Sequence, residues 1–462
     1  MSTAATIWPR VFEGQRFAVL GLGQNGLPAA QTLRSMGAFV VAWDDDAAKR
    51  DAAIGAGLAL AKPSEADRLD ALVLSPGIPH HLPEPHPEAA AALARDVPIL
   101  SDAELLFRAV RAAGSRARFA GITGTNGKST TTALLAHIIA AAGVPVAAGG
   151  NLGPASLALP LLPDDGIYVL EMSSYMLERI ATMRFDAGAM LNITKDHLDR
   201  HGSMAGYIAA KAAIFAGQID TDTAVVGVDD EASCALAARL ATGPGRLVRI
   251  SGHREADIYA DQRIVIDHFG PIVDLSTAPA LRGTHNAQNA AAAAALALAL
   301  GIHRAIIPGA MAGFPGLPHR QKRVATVAGI DFIDDSKATN ADAAARALDS
   351  FPRVVWIAGG IGKEGGIGSL APWFDRIDHA LLIGRDAAAF GDTLAAGGVS
   401  FEIVETLDRA VPTAFAHARR EGVPTVLLSP AGASFDQFAN YAARGDRFAE
   451  LAQSLSCPAE CA

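Results

Sequence analysis

The stretch Gly124-Thr125-Asn126-Gly127-Lys128-Ser129-Thr130 decides how the middle of this chain folds. Residues 119–122 before it are apolar and predict the end of a buried strand, whereas residues 131–142 after it predict an apolar helix. A strand, a glycine loop and a helix start form a phosphate cradle, because the backbone N–H groups and the helix N-terminus both favour an anion. All seven residues are therefore predicted to bind the phosphates of a nucleoside triphosphate.

The side chains of this loop suit the same ligand. Lys128 has the length to reach the terminal phosphates, and the hydroxyl of Ser129 or Thr130 can ligate Mg²⁺. The general P-loop has a glycine six residues before the lysine, where this chain has Ile122, so the loop is a shortened variant. The alternative is a glycine-rich turn without a ligand, but Gly-Lys-Ser-Thr at a helix start serves no packing purpose.

The totals set limits on the class of protein. A length of 462 residues predicts about three domains, and 50% hydrophobic residues supply several cores. The net charge of −9 argues against nucleic acid as the main partner. The longest apolar run, residues 290–302, is shorter than the roughly 20 residues that span a bilayer. With no signal-peptide pattern in residues 1–16, no membrane span and no metal-ligand spacing among Cys234, Cys457 and Cys461, we expect a cytoplasmic enzyme.

The first part of the chain predicts a second nucleotide-type fold. A strand over residues 17–20 leads into Gly21-Leu22-Gly23-Gln24-Asn25-Gly26, and the next strand ends at Asp44-Asp45-Asp46. Three such glycines followed by an acidic residue about twenty positions later form the dinucleotide fingerprint, which places a ligand's phosphates over the turn. A third strand, residues 69–74, ends at Ser75-Pro76-Gly77-Ile78, which is either part of the same site or a simple chain reversal.

The central part carries three further candidates. Glu171 ends the predicted strand 167–170 and is well placed to bind Mg²⁺, although a helix N-terminal glutamate is the alternative. His197 lies in the polar run 192–201, which reads as a site, although a lone solvated histidine is common. Lys211 lies inside an apolar helix, where the default is a lysine whose head reaches water and the alternative is a functional lysine.

The last part repeats the alternation of strands and ligand-type turns. After the linker 314–318, a strand over residues 330–333 leads into Asp334-Asp335-Ser336-Lys337-Ala338-Thr339-Asn340. The fold class that we predict is α/β with three domains. They are a Rossmann-like domain over residues 1–110, a P-loop ATPase-type domain over residues 111–316 and a second Rossmann-like domain over residues 317–462.

From residue 17 to residue 448 these motifs resemble, in order, those of the Mur ligases, the ATP-dependent amide-bond-forming enzymes of peptidoglycan precursor synthesis. The matching stretches are GTNGKST, GGNLG (149–153), EMSSY (171–175), NITKDHLDRH (192–201), Lys211 and GTHNAQN (283–289). LPHR, DDSKATN, GGIGK and SPAGASFDQF resemble the members that add D-glutamate, and the Asp-Asn-Pro-Arg motif of the diaminopimelate-adding members is absent.

The resemblance implies a reaction in cell-wall biogenesis, and hence a role in cell shape and division. ATP phosphorylates the carboxylate of UDP-N-acetylmuramoyl-L-alanine to an acyl phosphate. The amine of D-glutamate then attacks this group through a tetrahedral intermediate, and ADP and phosphate are released. Two Mg²⁺ ions are implied, as is a monomer without a nucleic-acid partner.

The resemblance also implies roles for residues of the second and third domains. Lys128, His197, Lys211 and Lys363 are the implied catalytic residues, and Lys211 matches a lysine that the family carbamylates. The implied Mg²⁺ ligands are Ser129, Glu171, His197 and Lys211. Beyond the loop 124–130, the implied ATP contacts are Asn289, Arg320 and Asp335, so the third domain completes the site when it closes over the second. The implied D-glutamate residues are Lys337, Thr339, Ser434 and Phe435.

The first domain would hold the UDP part of the substrate. The implied contacts are Gly23, Gln24, Asn25, Gly26, Asp44, Asp45, Ser75 and Gly77, with Asn151 from the second domain. The chain departs from the family pattern at two places. D-glutamate-adding members carry Thr-Arg after the second strand's Asp, where this chain has Asp45-Asp46, and the position of Tyr441 often carries Phe.

Three other functions compete with this interpretation. A folylpolyglutamate-synthetase-like ligase shares the ATP loop but does not account for the GLGQNG and SPGIP motifs. A nicotinamide-dependent oxidoreductase would use residues 17–110 and leave the ATP loop, Glu171 and DDSKATN without a role. A non-catalytic ATP-binding module does not explain the polar residues in all three domains.

Overall fold

The computed structural model describes residues 8–363 and 365–455, so Cys457 and Cys461 lie outside the described residues. The chain divides into two compact units: residues 1–279 with 286–314, and residues 280–285 with 315–462. The fold is mixed α/β and contains three sheets. Within the described ranges, no helix is both long and apolar enough to cross a membrane.

The first sheet is entirely parallel, with the order β3-β2-β1-β4-β5. Its strands are β1 (Arg16–Leu20), β2 (Phe39–Trp43), β3 (Ala59–Leu60), β4 (Ala71–Leu74) and β5 (Ile99–Leu100). Its helices are α1 (Gly26–Ser35), α2 (Ala47–Gly55), α3 (Pro87–Ala94) and α4 (Asp102–Ala112). The strand order changes direction between β1 and β4, and ligands of open parallel sheets bind at such a point.

The second sheet has nine strands in the order β14-β13-β12-β11-β10-β9-β6-β8-β7. They are β6 (Arg118–Thr123), β7 (Val146–Gly150), β8 (Ile167–Glu171), β9 (Ala187–Met190), β10 (Thr223–Gly227), β11 (Arg246–Ser251), β12 (Ile258–Asp261), β13 (Ile264–Asp267) and β14 (Gly270–Asp274). The associated helices are α5 (Lys128–Ala141), α6 (Ser174–Leu177), α7 (Leu198–His201), α8 (Met204–Ala212), α9 (Glu231–Leu240), α10 (Thr284–Ala299) and α11 (Ile307–Ala312). The strands β7, β8, β6, β9, β10, β11 and β12, in sheet order, run parallel to one another. Strands β12, β13 and β14 form an antiparallel meander.

The third sheet forms the second unit, with the order β15-β16-β21-β17-β19-β20 and β18 paired with β21. Its strands are β15 (Lys322–Val327), β16 (Ile330–Asp334), β17 (Val354–Gly359), β18 (Ile361–Gly362), β19 (Ile377–Ile383), β20 (Phe401–Glu405) and β21 (Thr425–Ala433). Its helices are α12 (Ala341–Ser350), α13 (Ala387–Ala396), α14 (Leu407–Glu421) and α15 (Tyr441–Ser454). The prediction that this part opens with β16 is wrong, because β15 precedes β16 and pairs with it antiparallel.

The central strands are covered on both faces, which explains their continuous apolar runs. Every residue of β8, β10 and β17 is buried. One core cluster combines residues of the first two sheets, from Trp8 to Ala237, and two others cover the faces of the third sheet. The sequence patterns located the strands predicted over residues 17–20, 69–74, 119–122, 167–170 and 330–333, whose predicted ends lie within two residues of the observed ones, whereas β10 was not predicted.

Candidate active site

The loop 124–130 lies between β6 and α5, and neighbouring residues hold its backbone in place. The amide of Asn126 donates to Oδ1 of Asn192 at 2.9 Å, and Nδ2 of Asn192 donates back to the Asn126 carbonyl at 3.1 Å. The hydroxyl of Thr125 accepts from the Thr194 amide at 3.0 Å and lies 3.2 Å from the hydroxyl of Tyr207. The polar run 192–201 thus supports the loop directly.

Gly127 is the position in this loop where only glycine fits. Its φ is +87°, and a Cβ atom placed there would lie 2.2 Å from Oδ1 of Asn289. That amide is fixed by bonds to Thr131 (3.3 Å) and Asn286 (3.0 Å), so it cannot turn away without losing both. Because Gly127 adopts this left-handed conformation, α5 begins at Lys128 and not, as predicted, at residue 131.

We expect Gly127→Ala to destabilise the protein by about 3 kcal/mol, the sum of a left-handed alanine and a close steric contact. Gly143→Ala is the matched control, because Gly143 follows the same helix with φ +74°, and a Cβ atom there would have no other atom within 4 Å. The control should cost only about 1 kcal/mol. Urea unfolding measures both, and equal losses in the two variants would contradict the contact with Asn289.

Two lysines converge on one carbonyl of the loop. Nζ of Lys128 donates to the carbonyls of Gly124 (2.8 Å) and Thr125 (2.9 Å), and Nζ of Lys211 donates to the same Gly124 carbonyl at 2.8 Å. Lys211 is 2% exposed and lies 4.8 Å from the ring centre of Tyr207. Burial, reinforced by the charge of Lys128, holds the pKa of Lys211 well below its usual value. Lys211 is therefore not a lysine whose head reaches water.

Glu171 is the buried carboxylate beside the loop, on the strand next to β6. It pairs in register with Ile122 and is 2% exposed. Its Oε1 accepts from Nδ2 of Asn151 at 2.8 Å, whereas its buried Oε2 has no hydrogen-bond partner. A buried carboxylate oxygen without a partner is costly, and a bound cation would satisfy it. The donor set therefore fits Mg²⁺.

Ser129 adds a second oxygen of the kind that Mg²⁺ prefers. It lies in the first turn of α5 and is 6% exposed. Within residues 8–363 and 365–455, no three His, Cys, Asp or Glu side chains form a metal-ligating cluster.

His197 lies at the start of α7 in a left-handed conformation, with φ of 51°. Its Nδ1 is 2.9 Å from the hydroxyl of Tyr175, and its Nε2 is 3.4 Å from Oδ2 of Asp196. Burial lowers the pKa of His197, and this effect outweighs that of the Asp196 charge, which raises the pKa. The ring is therefore neutral at pH 7, the form in which histidine ligates metals or accepts a proton.

A cleft of about 420 Å³ lies at the switch point of the first sheet. It brings together eight of the nine residues that were predicted to contact the UDP moiety: Gly23, Gln24, Asn25, Asp44, Asp45, Ser75, Gly77 and Asn151. The ninth, Gly26, does not line the cleft. A Cβ atom there would lie 1.7 Å from the Gly21 carbonyl, so Gly26 allows α1 to pack closely on the loop.

Asn151 lines this cleft and also bonds Glu171, so one side chain connects the cleft wall to the carboxylate beside the ATP loop. Two further lining residues, Lys49 and His86, were not predicted. Lys49 lies 3.5 Å from Asp44, and Nε2 of His86 lies 3.0 Å from Asp45. Lys49 on α2 gives the cleft a cation, although the chain lacks the Arg of the family pattern.

The predicted ATP contacts of the second unit lie at the end of β16. Asp335 accepts from the hydroxyl of Ser429 at 2.7 Å and from the amide of Gln321 at 3.2 Å, and burial raises its pKa to about 7. Arg320 is exposed and is flanked by His319 and Gln321, whose φ values are +59° and +45°. Arg320 therefore lies on a strained loop, and the bond between Gln321 and Asp335 attaches this loop to the end of β16.

His319 fixes one side of that loop. Its Nδ1 lies 2.7 Å from Oδ2 of Asp334, and this hydrogen bond raises the pKa of His319. The ring also lies where a Cβ atom of Gly445 would be, at 2.1 Å from Nδ1. Only a glycine at position 445 therefore allows this arrangement.

The predicted D-glutamate residues lie on two loops that follow adjacent strands. The buried Arg444 connects the first of these loops to the end of β21, because its guanidinium donates to the Ser336 hydroxyl and carbonyl, at 2.9 Å each, and to the Gly432 carbonyl at 3.1 Å. Lys337 lies 5.3 Å from the ring centre of Tyr441. Arg444 was not predicted, since a single arginine in an amphipathic helix gives no sequence signal.

The remaining predicted residues of this unit differ in exposure. Ser434 is 2% exposed, whereas Phe435 is 71% exposed. Thr339 is half-buried, and Lys363 is exposed after β18. Phe435 and Lys363 are therefore accessible from solvent, whereas the Ser434 side chain is enclosed by the protein.

Family models and relatives of known name match most of this chain. Residues 122–297 match the Mur ligase middle domain, and residues 319–432 match the Mur ligase glutamate ligase domain. A UDP-N-acetylmuramoylalanine–D-glutamate ligase of Paramagnetospirillum magneticum is 48% identical over 96% of this chain and 98% of its own length. The corresponding protein of Caulobacter vibrioides is 44% identical, with 97% of each chain covered.

Solved structures share the fold. The UDP-N-acetylmuramate-alanine ligase of Thermotoga maritima superposes with a TM-score of 0.61 at 20% identity, over 95% of this chain and 99% of that one. MurF from Acinetobacter baumannii gives a TM-score of 0.58 at 20% identity, over 76% and 81% of the two chains. Because the family domains cover most of the chain and close relatives match it nearly end to end, this protein belongs to the Mur ligase family.

Proposed function

We propose that this protein is an ATP-dependent ligase that joins D-glutamate to UDP-N-acetylmuramoyl-L-alanine and releases ADP and phosphate. The observation that carries the proposal is the bond from Asn151 to Glu171, which joins the cleft of the first sheet to the carboxylate beside the ATP loop. The relatives that are 44–48% identical over nearly the whole chain carry the name of this activity.

The first chemical step requires two anions to meet. The γ-phosphoryl group of ATP moves to the substrate carboxylate. A P–O bond to a carboxylate oxygen forms, and the P–O bond between the γ-phosphorus and ADP breaks. The loop 124–130 holds the phosphates with backbone N–H groups, and Lys128 stabilises the charge that develops on them. Asn289 lies against Gly127 and accepts a hydrogen bond from Thr131 of α5, so it supports the end of the loop.

Bound Mg²⁺ would neutralise phosphate charge and polarise the transferring group. We propose Ser129 and Glu171 as ligands of one ion, because the orphaned Oε2 of Glu171 needs a cation. His197 and a modified Lys211 are proposed to serve a second ion. The neutral ring of His197 leaves a nitrogen lone pair available for this purpose.

Lys211 is proposed to carry a carbamate. The lowered pKa favours the neutral amine, and a neutral amine adds to CO₂ to give N–COO⁻ with release of one proton. The modification turns a buried cation into an anion between Lys128 and the proposed metal site. The charge of Lys128 then stabilises the carbamate, whereas it repels the unmodified ammonium group.

In the second unit we propose that Arg320 and Asp335 bind ATP and that Lys337, Thr339, Ser434 and Phe435 bind D-glutamate. Lys363 is proposed to lie near the incoming amine or the acyl phosphate. Arg444 supports this assignment, since it ties the loop that carries Lys337 to the end of β21, just before Ser434. The amine of D-glutamate attacks the acyl carbon, a C–N bond forms, and phosphate leaves.

We also propose the three domains 1–110, 111–316 and 317–462, a monomer, and residence in the cytoplasm. The break between the compact units at Phe314 and Pro315 supports the second boundary. The separate five-stranded sheet, which ends at β5, supports the first.

The test is phosphate release from ATP with UDP-N-acetylmuramoyl-L-alanine and D-glutamate, L-glutamate or neither. We expect turnover with D-glutamate only, because the relatives are named for that amino acid. Turnover with L-glutamate alone would retain the ligase and overturn the amino-acid assignment. No turnover with any of these mixtures, from a folded protein that binds ATP, would overturn the proposed substrate.

A further inference from the structure

Arg179 is an almost fully buried arginine just beyond α6 that no part of the proposed reaction uses. It is 2% exposed, and its guanidinium donates to three backbone carbonyls, one at the end of β4 and two in the loop 75–78, which we call the ligand loop. The acceptors are Leu74 at 2.9 Å, Ser75 at 3.1 Å and Ile78 at 2.7 Å. Its Nε also lies 3.4 Å from Nδ1 of His80. A side chain that follows α6 of the second sheet thus forms hydrogen bonds to the loop 75–78, which lines the cleft.

A second buried arginine joins this contact. Nη2 of Arg200, on α7, donates to the same Ile78 carbonyl at 2.9 Å. Its guanidinium lies 4.8 Å from the ring centre of Tyr175, whose hydroxyl is 2.9 Å from Nδ1 of His197. A continuous chain of contacts therefore leads from Ile78, in the cleft wall, to His197 beside the ATP loop.

The arrangement is electrostatically expensive for a purely structural contact. Two guanidinium groups share one carbonyl, and burial together with the charge of Arg200 lowers the pKa of Arg179 to about 9. The adjacent carboxylate, Glu178, is bound to His201 at 2.8 Å. Burying two like charges side by side costs free energy that apolar side chains would not incur, so their hydrogen bonds to carbonyls are the reason for having arginines here.

The contacts fix the direction of the loop's peptide dipoles. The carbonyl oxygens of Leu74, Ser75 and Ile78 face guanidinium groups, so their negative ends do not oppose an anionic ligand in the cleft. Ser75 also donates to the Gly21 carbonyl at 2.8 Å, which ties the glycine turn to the same support. Arg179 therefore sets the shape of both loops that meet at the switch point.

We propose that Arg179, assisted by Arg200, is a positioning residue that fixes the 75–78 loop for the diphosphate-bearing substrate and keeps that loop in register with His197. This inference rests on the proposed function, because it takes the cleft as the site of the UDP-substrate. It assigns to Arg179 no contact with the substrate itself. Its loss should weaken binding of that substrate and leave the affinity for ATP unchanged.

The test compares Arg179→Lys and Arg179→Met with the wild-type protein. Lysine keeps the charge but loses the planar fork that reaches three carbonyls, so KM for UDP-N-acetylmuramoyl-L-alanine should rise about tenfold. Methionine removes all donors and should raise it further. The KM for ATP and kcat at saturation should change less than about threefold, a split that general destabilisation does not produce.

Arg111→Lys is the matched control. Arg111 is a half-buried arginine that donates to two backbone carbonyls, those of Ser115 and Ala117, at 2.9 Å each, and both acceptors lie outside the loop 75–78. The control should leave the KM values for UDP-N-acetylmuramoyl-L-alanine, ATP and D-glutamate unchanged. Should Arg179→Met fail to fold, Arg179→Lys and the control carry the comparison.

Calorimetry with UDP-N-acetylmuramoyl-L-alanine separates this inference from the proposed function. Wild-type protein that does not bind the compound would overturn the proposed function. Wild-type protein and Arg179→Lys that bind it with equal affinity would overturn the positioning role alone. Weaker binding by Arg179→Lys, with unchanged binding by Arg111→Lys, is the expected result.

Discussion

Lys128→Ala should lower kcat by about 10²–10³-fold without unfolding the protein. The Lys128 ammonium group lies over the phosphate loop, 2.8 Å from the Gly124 carbonyl, and it is the loop's only lysine. Its removal leaves the developing charge on the transferred phosphoryl group without that cation. The Gly124 carbonyl keeps its bond from Lys211, and the Thr125 carbonyl, which loses its bond from Lys128, belongs to a half-buried loop residue, so the fold should persist.

Phosphate release under saturating substrates measures this effect, and circular dichroism with thermal unfolding measures the fold. Lys62→Ala is the control, because Lys62 is an exposed lysine of the first sheet's region, far along the chain from the loop. It should retain full activity. A folded Lys128→Ala protein with wild-type kcat would refute the role of Lys128 in phosphoryl transfer.

Lys211→Ala should lower kcat by a similar factor, about 10²–10³-fold, for a different reason. The buried amine has a strongly lowered pKa, which favours the neutral form that combines with CO₂. Alanine removes the proposed carbamate and leaves space beside Tyr207 and the loop. Formate or acetate should enter that space and restore part of the activity, because each supplies a carboxylate.

Lys211→Met separates charge from packing. It fills the space left by the lysine, so short carboxylates should restore no activity, and its melting temperature should equal or exceed that of the wild type. Labelled bicarbonate should give a carbamate signal in the carbon NMR spectrum of the wild type that both variants lack. A Lys211→Ala protein that formate and acetate fail to activate, together with a wild type lacking that signal, would refute the carbamate.

The parts of the fold that the sequence predicted best depend on local chemistry. The glycine loop, the apolar strand before it and the apolar helix after it are consecutive in the chain, so their pattern alone indicates a phosphate cradle. The same holds for the GLGQNG turn and for the run after β16. These three loops follow β6, β1 and β16, as the patterns indicate.

The parts that were missed depend on contacts between distant segments. Arg179 lies about a hundred residues from the loop that it holds, and Arg444 lies 108 residues from Ser336. Lys49 and His86 reach the cleft because α2 and the segment before α3 fold against it. None of these residues stands in a local pattern, and only the tertiary structure shows what each of them contacts.

Glycine positions show the same division. The fingerprint assigned Gly23 and Gly26 to one role, ligand contact, whereas the structure separates them. Gly23 lines the cleft with open space around it, and Gly26 touches the Gly21 carbonyl so closely that only hydrogen fits. The spacing of the glycines is thus partly a packing requirement, which a ligand-based motif does not distinguish.

Helix α10 has a consequence for the entropy of the protein. Its residues Ala290–Ala295 are all buried and carry no rotatable side-chain torsions, so packing this run of the helix removes almost no rotamer freedom. It also offers its neighbours no alternative side-chain arrangement. Asn289, at the start of this run, is therefore held against Gly127 by a helical segment that can pack in only one way. The backbone amide protons of this segment should be among the slowest in the protein to exchange with deuterium.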